Sequence, residues 1–181
     1  MIIAICGLAD SGKSVSREFF ESKGFINIHL GVTEIIMKKY GKTTEKLERD
    51  LRKRMREEQG MGVMVKIVLP QIKDILKKSK DIVIDNLYSW DEYKILKEEY
   101  PDSFYNIAVH VSREFRYERL AKRKFRGLDR KTALSRDYSH IEELDSSGPI
   151  ALADFHVIND GTRRELKKQL EQIYNRLVAS Y

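Results

Sequence analysis

Ile2-Ile3-Ala4-Ile5-Cys6-Gly7-Leu8-Ala9-Asp10-Ser11-Gly12-Lys13-Ser14 runs from an apolar pentapeptide straight into a glycine-bounded loop. From Gly7 to Ser14 it fits G-x-x-x-x-G-K-[ST] at every fixed position. The pattern carries a mechanism. Glycines at the two ends let the backbone turn tightly, so that successive N–H groups point inward. A helix starting at Lys13 adds the partial positive charge of its N-terminus. A tight strand-to-helix turn with no ligand is the plain alternative. Chance produces the pattern in roughly one chain in a hundred of this length at ~7% glycine, before the strand and helix context is counted.

The loop is therefore read as a phosphate cradle for ATP, formed by Gly7, Ala9, Asp10, Ser11, Gly12, Lys13, Ser14 and Val15. Lys13 is placed to reach the β- and γ-phosphates and the Ser14 hydroxyl to ligate Mg²⁺. Asp10 is the awkward residue, because a carboxylate beside phosphates is repulsive unless it points away.

Outward from the loop, apolar runs of strand length recur at 2–6, 25–28, 82–85, 105–111 and 155–158. They lack strict alternation, as expected of strands buried on both faces. Helical stretches separate them at 13–23, 45–58, 61–79, 91–100, 112–126, 131–144 and 162–179. Pro70 is expected to kink or break the third of these. Alternating strands and helices predict a three-layer α/β/α domain on a five-stranded parallel sheet. One domain over 1–181 is expected, with a small lid around 119–131 and acceptor-binding helices around 32–79.

The chain has 181 residues, 41% hydrophobic and 34% charged, and a net charge of +6, which suits an anionic ligand without naming it. No apolar run reaches the ~20 residues of a membrane span, and the N-terminus reads as a buried strand and not as a signal peptide. The single cysteine, Cys6, leaves no internal disulfide and fits a cytoplasmic protein.

A phosphate-loop enzyme needs a carboxylate near its metal, at the end of a buried strand. Asp85 ends Ile82-Val83-Ile84 and is read as assisting Mg²⁺ or the acceptor; an N-cap or turn aspartate is the alternative. Arg113, Arg116, Arg119, Arg123, Arg126 and Arg130 are spaced for one helix face. Arg119, Arg123 and Arg126 are expected to be lid cations that stabilise transferring charge, with Arg113 facing solvent. A solvated helix face is the competing reading. Arg52, Lys53, Arg54 and Arg56 form a second basic cluster where an acceptor can dock. His29 is assigned a capping or core role, and His110, His140 and His156 show no ligand spacing.

The loop, the segment around Asp85, and Ala108-Val109-His110 with its arginine-rich helix together resemble the nucleoside monophosphate kinase superfamily. So do Arg136-Asp137 and the run from Ala153 to Thr162. Dephospho-CoA kinases and archaeal adenylate-kinase-related proteins look most similar. The resemblance runs nearly end to end and implies a sheet order of 2-3-1-4-5. It also implies an Asn159-Asp160-Gly161 turn beside the adenine, and transfer from ATP to a small nucleotide or nucleotide-like acceptor. Two positions depart from the pattern: Glu34 is followed by Met37, and Tyr88 stands after Asp85, where relatives carry phosphate-holding arginines. Arg54 and Arg56 are candidate substitutes for those arginines at an acceptor site shared with Glu34 and Tyr88. The departures keep a regulatory nucleotide-binding module without kinase activity open as an alternative. A nucleic-acid-associated kinase or ATPase is supported by charge alone, and no stacking aromatics interleave the basic runs.

Overall fold

The computed structural model describes residues 1–33, 36–37, 41–42, 44–124 and 127–179. Five parallel strands, β1 (Ile2–Cys6), β2 (Ile26–His29), β3 (Ile82–Asp85), β4 (Phe104–His110) and β5 (Phe155–Ile158), pair in the order β2-β3-β1-β4-β5. The runs read from sequence fall within one residue of these bounds, with β2 and β4 each shifted by one, because most are apolar and bounded by polar or glycine residues. The central three strands alternate between two buried faces, so neither periodicity of exposure nor a polar edge appears in them.

Ile2, Ala4, Ile82, Ile84, Phe104 and Ala108 face one layer, made by α2 (Glu45–Gln59), α3 (Val63–Leu76), α4 (Trp90–Glu99) and α7 (Ser147–Ala151). Ile3, Ile5, Val83, Ile107, Val109 and Val157 face the other, where α1 (Lys13–Ser22) and α8 (Arg163–Ala179) contribute Phe19, Phe20, Leu166, Leu170 and Leu177. Two further helices, α5 (Arg113–Lys122) and α6 (Arg130–Glu142), pack Tyr117, Leu120 and Ala133 on Ala9 of the loop after β1. That small cluster ties them to the carboxyl end of the sheet.

Three expectations need correction. Pro70 lies inside an unbroken α3, so it does not end the helix there. The helix expected over 112–126 stops at Lys122, and Arg123 already has extended backbone, φ −65° and ψ 128°. The six arginines therefore do not share one helix: Arg130 starts α6 instead. Finally, α7 is a five-residue helix in a stretch assigned to no element. Its Pro149 carbonyl accepts from the buried Asn106 side chain at 2.7 Å, which pins it to β4. Among the described residues, no helix is long and apolar enough to cross a membrane.

Candidate functional site

Parallel strands leave their carboxyl ends on one edge, where loops from several elements converge. The loop Gly7–Gly12 leaves β1 there and enters α1. Gly7 has φ +138°, and a Cβ on it would stand 2.5 Å from the Val109 carbonyl oxygen. Gly12 has φ +109°, and a Cβ there would collide with the Asn159 amide. Both positions demand glycine for backbone conformation and for close approach. Asp10 also takes the left-handed region, φ 62°, which aspartate tolerates better than most residues.

Lys13 folds back over the loop, its ammonium donating to the Gly7 carbonyl at 2.8 Å and the Leu8 carbonyl at 2.9 Å. Among the described residues, no carboxylate forms an ion pair with it. Burial pulls its pKa down to about 8, and the nearby Arg136 and Arg116 push the same way while Asp85 opposes them. The hydroxyl of Ser11, 1% exposed, is buried without a hydrogen-bond partner. Beside it lies a cavity of about 70 Å³ lined by Gly7, Leu8, Ser11, Val109, His110, Arg116 and Ile150. A half-buried ammonium with no carboxylate partner among the described residues, a buried hydroxyl and a glycine-built turn form a set of donors suited to an anion. Ser14, the expected metal ligand, is exposed at the first turn of α1.

The arginines of α5 descend on this loop. Arg116, 3% exposed, donates to the Ala9 carbonyl at 3.2 Å and holds Asp137 of α6 through two bonds at 3.0 and 2.5 Å. Tyr117 donates to the same carboxylate at 3.0 Å. Arg119 donates to the Asn159 carbonyl at 2.9 Å, and Arg123 bonds the Asp10 carboxylate. Arg113 is exposed. Arg126 and Glu34 lie outside the described residues. Sequence reasoning left Arg116 and Asp137 without a role, since their pairing spans 21 residues and joins two helices whose packing was not legible.

The turn expected to flank a base is tied inward. The Asn159 side chain donates to the Ser11 carbonyl at 2.8 Å, and its backbone N–H donates to the His110 carbonyl at 2.8 Å. Asp160 accepts from the N–H and hydroxyl of Ser112 at 2.7 and 2.5 Å. Gly161 is exposed beside them.

On the opposite side of the loop, Asp85 is buried and already partnered. One oxygen meets His29 Nδ1 at 2.6 Å, and the other lies 3.6 Å from Arg17. Asp85 raises the His29 pKa above its ordinary value. His29 is therefore neither a cap nor a core residue: its side chain is 45% exposed, opposite Asp85 in the β2–β3 register. Asn86 approaches the same Nδ1 at 3.2 Å and accepts from the Tyr88 hydroxyl at 2.6 Å. The Tyr88 ring lies 5.7 Å from the Lys13 ammonium and meets the His140 ring edge-on at 5.1 Å. Burial pushes the Tyr88 phenol up to about 12. Burial, with Lys13 and Arg136 nearby, holds the His140 imidazole down at about 4, and its Nδ1 has no partner.

Of the basic cluster on α2, Arg54 is exposed, whereas Arg56 is turned inward onto Glu92 at 3.4 Å. Glu92 also accepts from the backbone of Tyr88 and Ser89, so Arg56 closes a buried knot. Among the described residues, no three His, Cys, Asp or Glu side chains gather to hold a metal by themselves.

A glycine-lysine loop between the first strand and first helix of a 2-3-1-4-5 parallel sheet defines the P-loop kinase fold, and comparison with solved structures agrees. Shikimate kinase from Bacteroides thetaiotaomicron superposes with a TM-score of 0.61 at 13% identity, covering 98% of both chains. Dephospho-CoA kinase from Campylobacter jejuni gives 0.59 at 17% identity over 97% of this chain and 96% of that one. No protein-family model matches the sequence. The UPF0200 protein of Thermococcus gammatolerans is 31% identical over 184 residues, covering 98% of this chain and 96% of that protein. The chain belongs to the UPF0200 family.

Proposed function

We propose that the chain transfers the γ-phosphoryl group of ATP to an oxygen of a small nucleotide or nucleotide-like acceptor. The bond between the γ-phosphorus and the β–γ bridging oxygen breaks. A bond from that phosphorus to the acceptor oxygen forms, and any proton on the oxygen departs. The observation that carries the reading is Lys13: its ammonium is held on two carbonyls of the loop and forms no ion pair among the described residues.

In this reading the amides from Gly7 to Val15 bind the phosphates and Lys13 balances their charge. Ser14 would hold Mg²⁺ directly. Asp85, both of whose oxygens have protein partners, would act through a water or on the acceptor. The ion, when bound, neutralises charge on the transferring group. Asn159, Asp160 and Gly161 flank the base. Arg119, Arg123 and Arg126 belong to a lid around 119–131 and stabilise transferring charge. The acceptor docks among Glu34, Arg54 and Arg56 of the segment around 32–79, together with Tyr88 after β3. Arg56 contributes there through Glu92 and the Tyr88 backbone, since its guanidinium is committed to Glu92.

The test is ATP consumption by the purified protein against nucleoside monophosphates, deoxynucleoside monophosphates, dephospho-CoA, shikimate and gluconate, with Mg-ATP binding measured in parallel. Turnover on a nucleotide or on dephospho-CoA supports the proposal, and turnover on shikimate or gluconate alone overturns its acceptor class. Absence of Mg-ATP binding overturns it. Tight binding with no turnover on any acceptor favours the second reading, a regulatory nucleotide-binding module. One observation supports that reading: the Lys13 ammonium lies over the Tyr88 ring, 5.7 Å from its centre, where the resemblance implies an arginine for the acceptor.

A further inference from the structure

Asp10 is a carboxylate inside a loop read as a phosphate site, and it is not left alone. Its side chain is 15% exposed and forms an ion pair with Arg123, itself 41% exposed. The arrangement is built from both sides. The left-handed backbone at Asp10 fixes where the carboxylate leaves the loop. On the other side, α5 is anchored one residue away, by Arg116 on the Ala9 carbonyl and by Tyr117 and Leu120 packed on Ala9. The helix ends at Lys122, so Arg123 departs in extended conformation toward the loop.

We infer that Asp10 is a positioning residue that makes nucleotide affinity conditional on Arg123. Phosphates arriving at the loop meet a like charge, and the guanidinium neutralises it. A lid arginine acting only on charge that develops during transfer lowers kcat when removed and leaves affinity alone. Arg123 has an additional ground-state task, which exists only because of Asp10. The inference rests on the proposed nucleotide site and identifies which residues set its affinity.

A binding cycle tests it, using MgADP and the magnesium complex of a non-hydrolysable ATP analogue as probes, on the full chain. Asp10→Asn keeps a residue that tolerates the left-handed region and removes only the charge. Expected are Asp10→Asn binding at least as tightly as wild type and Arg123→Ala binding about tenfold weaker. Asp10→Asn/Arg123→Ala should return to within about threefold of wild type, a coupling of ordinary size. In turnover assays Arg123→Ala should raise KM for ATP as well as lower kcat, and the added Asp10→Asn should recover KM only. Equal losses from Arg123→Ala in both backgrounds overturn the inference and leave the nucleotide site standing. Weaker binding by Asp10→Asn alone also overturns it. A wild-type protein that binds neither probe sinks the site and the inference together.

Discussion

The two flanks of the loop differ in what their polar groups hold. On the lid side, Arg116, Arg119 and Arg123 all direct guanidinium groups at the loop or at the Asn159 turn that supports it. On the β2–β3 side the polar groups pair within the flank: Arg56 with Glu92, Arg17 and His29 with Asp85, and the Tyr88 hydroxyl with Asn86. One flank thus ties its cations to the loop and the Asn159 turn as well as to Asp137 and Asp10, while the other ties its polar groups to one another. The difference teaches that the loop is tied to its α5–α6 flank; under the proposed function the nucleotide half is then the more fully specified one, in agreement with Tyr88 and Met37 standing where the resemblance implies an arginine.

The sharpest way to break this contrast is to cut the lid from its support. Asp137→Ala leaves Arg116 buried and unpaired and removes the partner of Tyr117. It should cost about 3–5 kcal/mol in denaturant unfolding. A loss below ~1 kcal/mol would show that the lid side is no more rigidly built than the other flank.

Lys13→Ala comes next. The side chain is half-buried against loop carbonyls and makes no ion pair among the described residues, so the fold should survive. Nucleotide affinity should fall about a hundredfold, the loss of a charge-assisted contact in a desolvated site. Calorimetric titration with MgADP measures it; unchanged affinity in a folded variant would remove the basis for the contrast.

A smaller effect follows from the depressed Lys13 pKa. In the free protein the ammonium loses its proton near pH 8, well below the ordinary lysine value. Bound phosphate favours the charged form, so binding takes up a proton above that pH. Affinity should be flat below about pH 7 and fall by up to about tenfold per unit above pH 8. A flat profile to pH 10 would place Lys13 outside the binding step.

The smallest effect belongs to the β2–β3 flank. The His29 pKa is raised by Asp85, so the charged pair stabilises the fold fully below the unfolded value of about 6.5. That contribution is lost as pH rises through the higher folded value. Because His29 is 45% exposed, its replacement by glutamine should cost less than ~1 kcal/mol at pH 5.5 and nearly nothing at pH 9. A larger loss that persists at pH 9 would assign His29 to packing.

The nucleotide half was legible because its signals are local. An apolar pentapeptide, two glycines and a lysine at fixed spacing define the turn without help from distant residues. The lid was legible only in part. Arg123 follows residues of good helix propensity, and no glycine or proline precedes it to announce the end of α5. The helix stops because the chain folds back, the Leu128 N–H donating to the Leu120 carbonyl at 3.1 Å. Arg56 read as a free cation, since its spacing on α2 does not reveal the carboxylate 36 residues away that neutralises it.

By itself the sequence determined the strands, the loop and the demand for glycine at positions 7 and 12, because backbone conformation and burial on two faces are written in short runs. The tertiary structure alone decided which charges remain available. His29 meets Asp85 across 56 residues, Arg116 meets Asp137 across 21, and Arg123 meets Asp10 across 113. An ion pair depends on separation in space, and strand register and helix docking set that separation without leaving a local pattern in the chain.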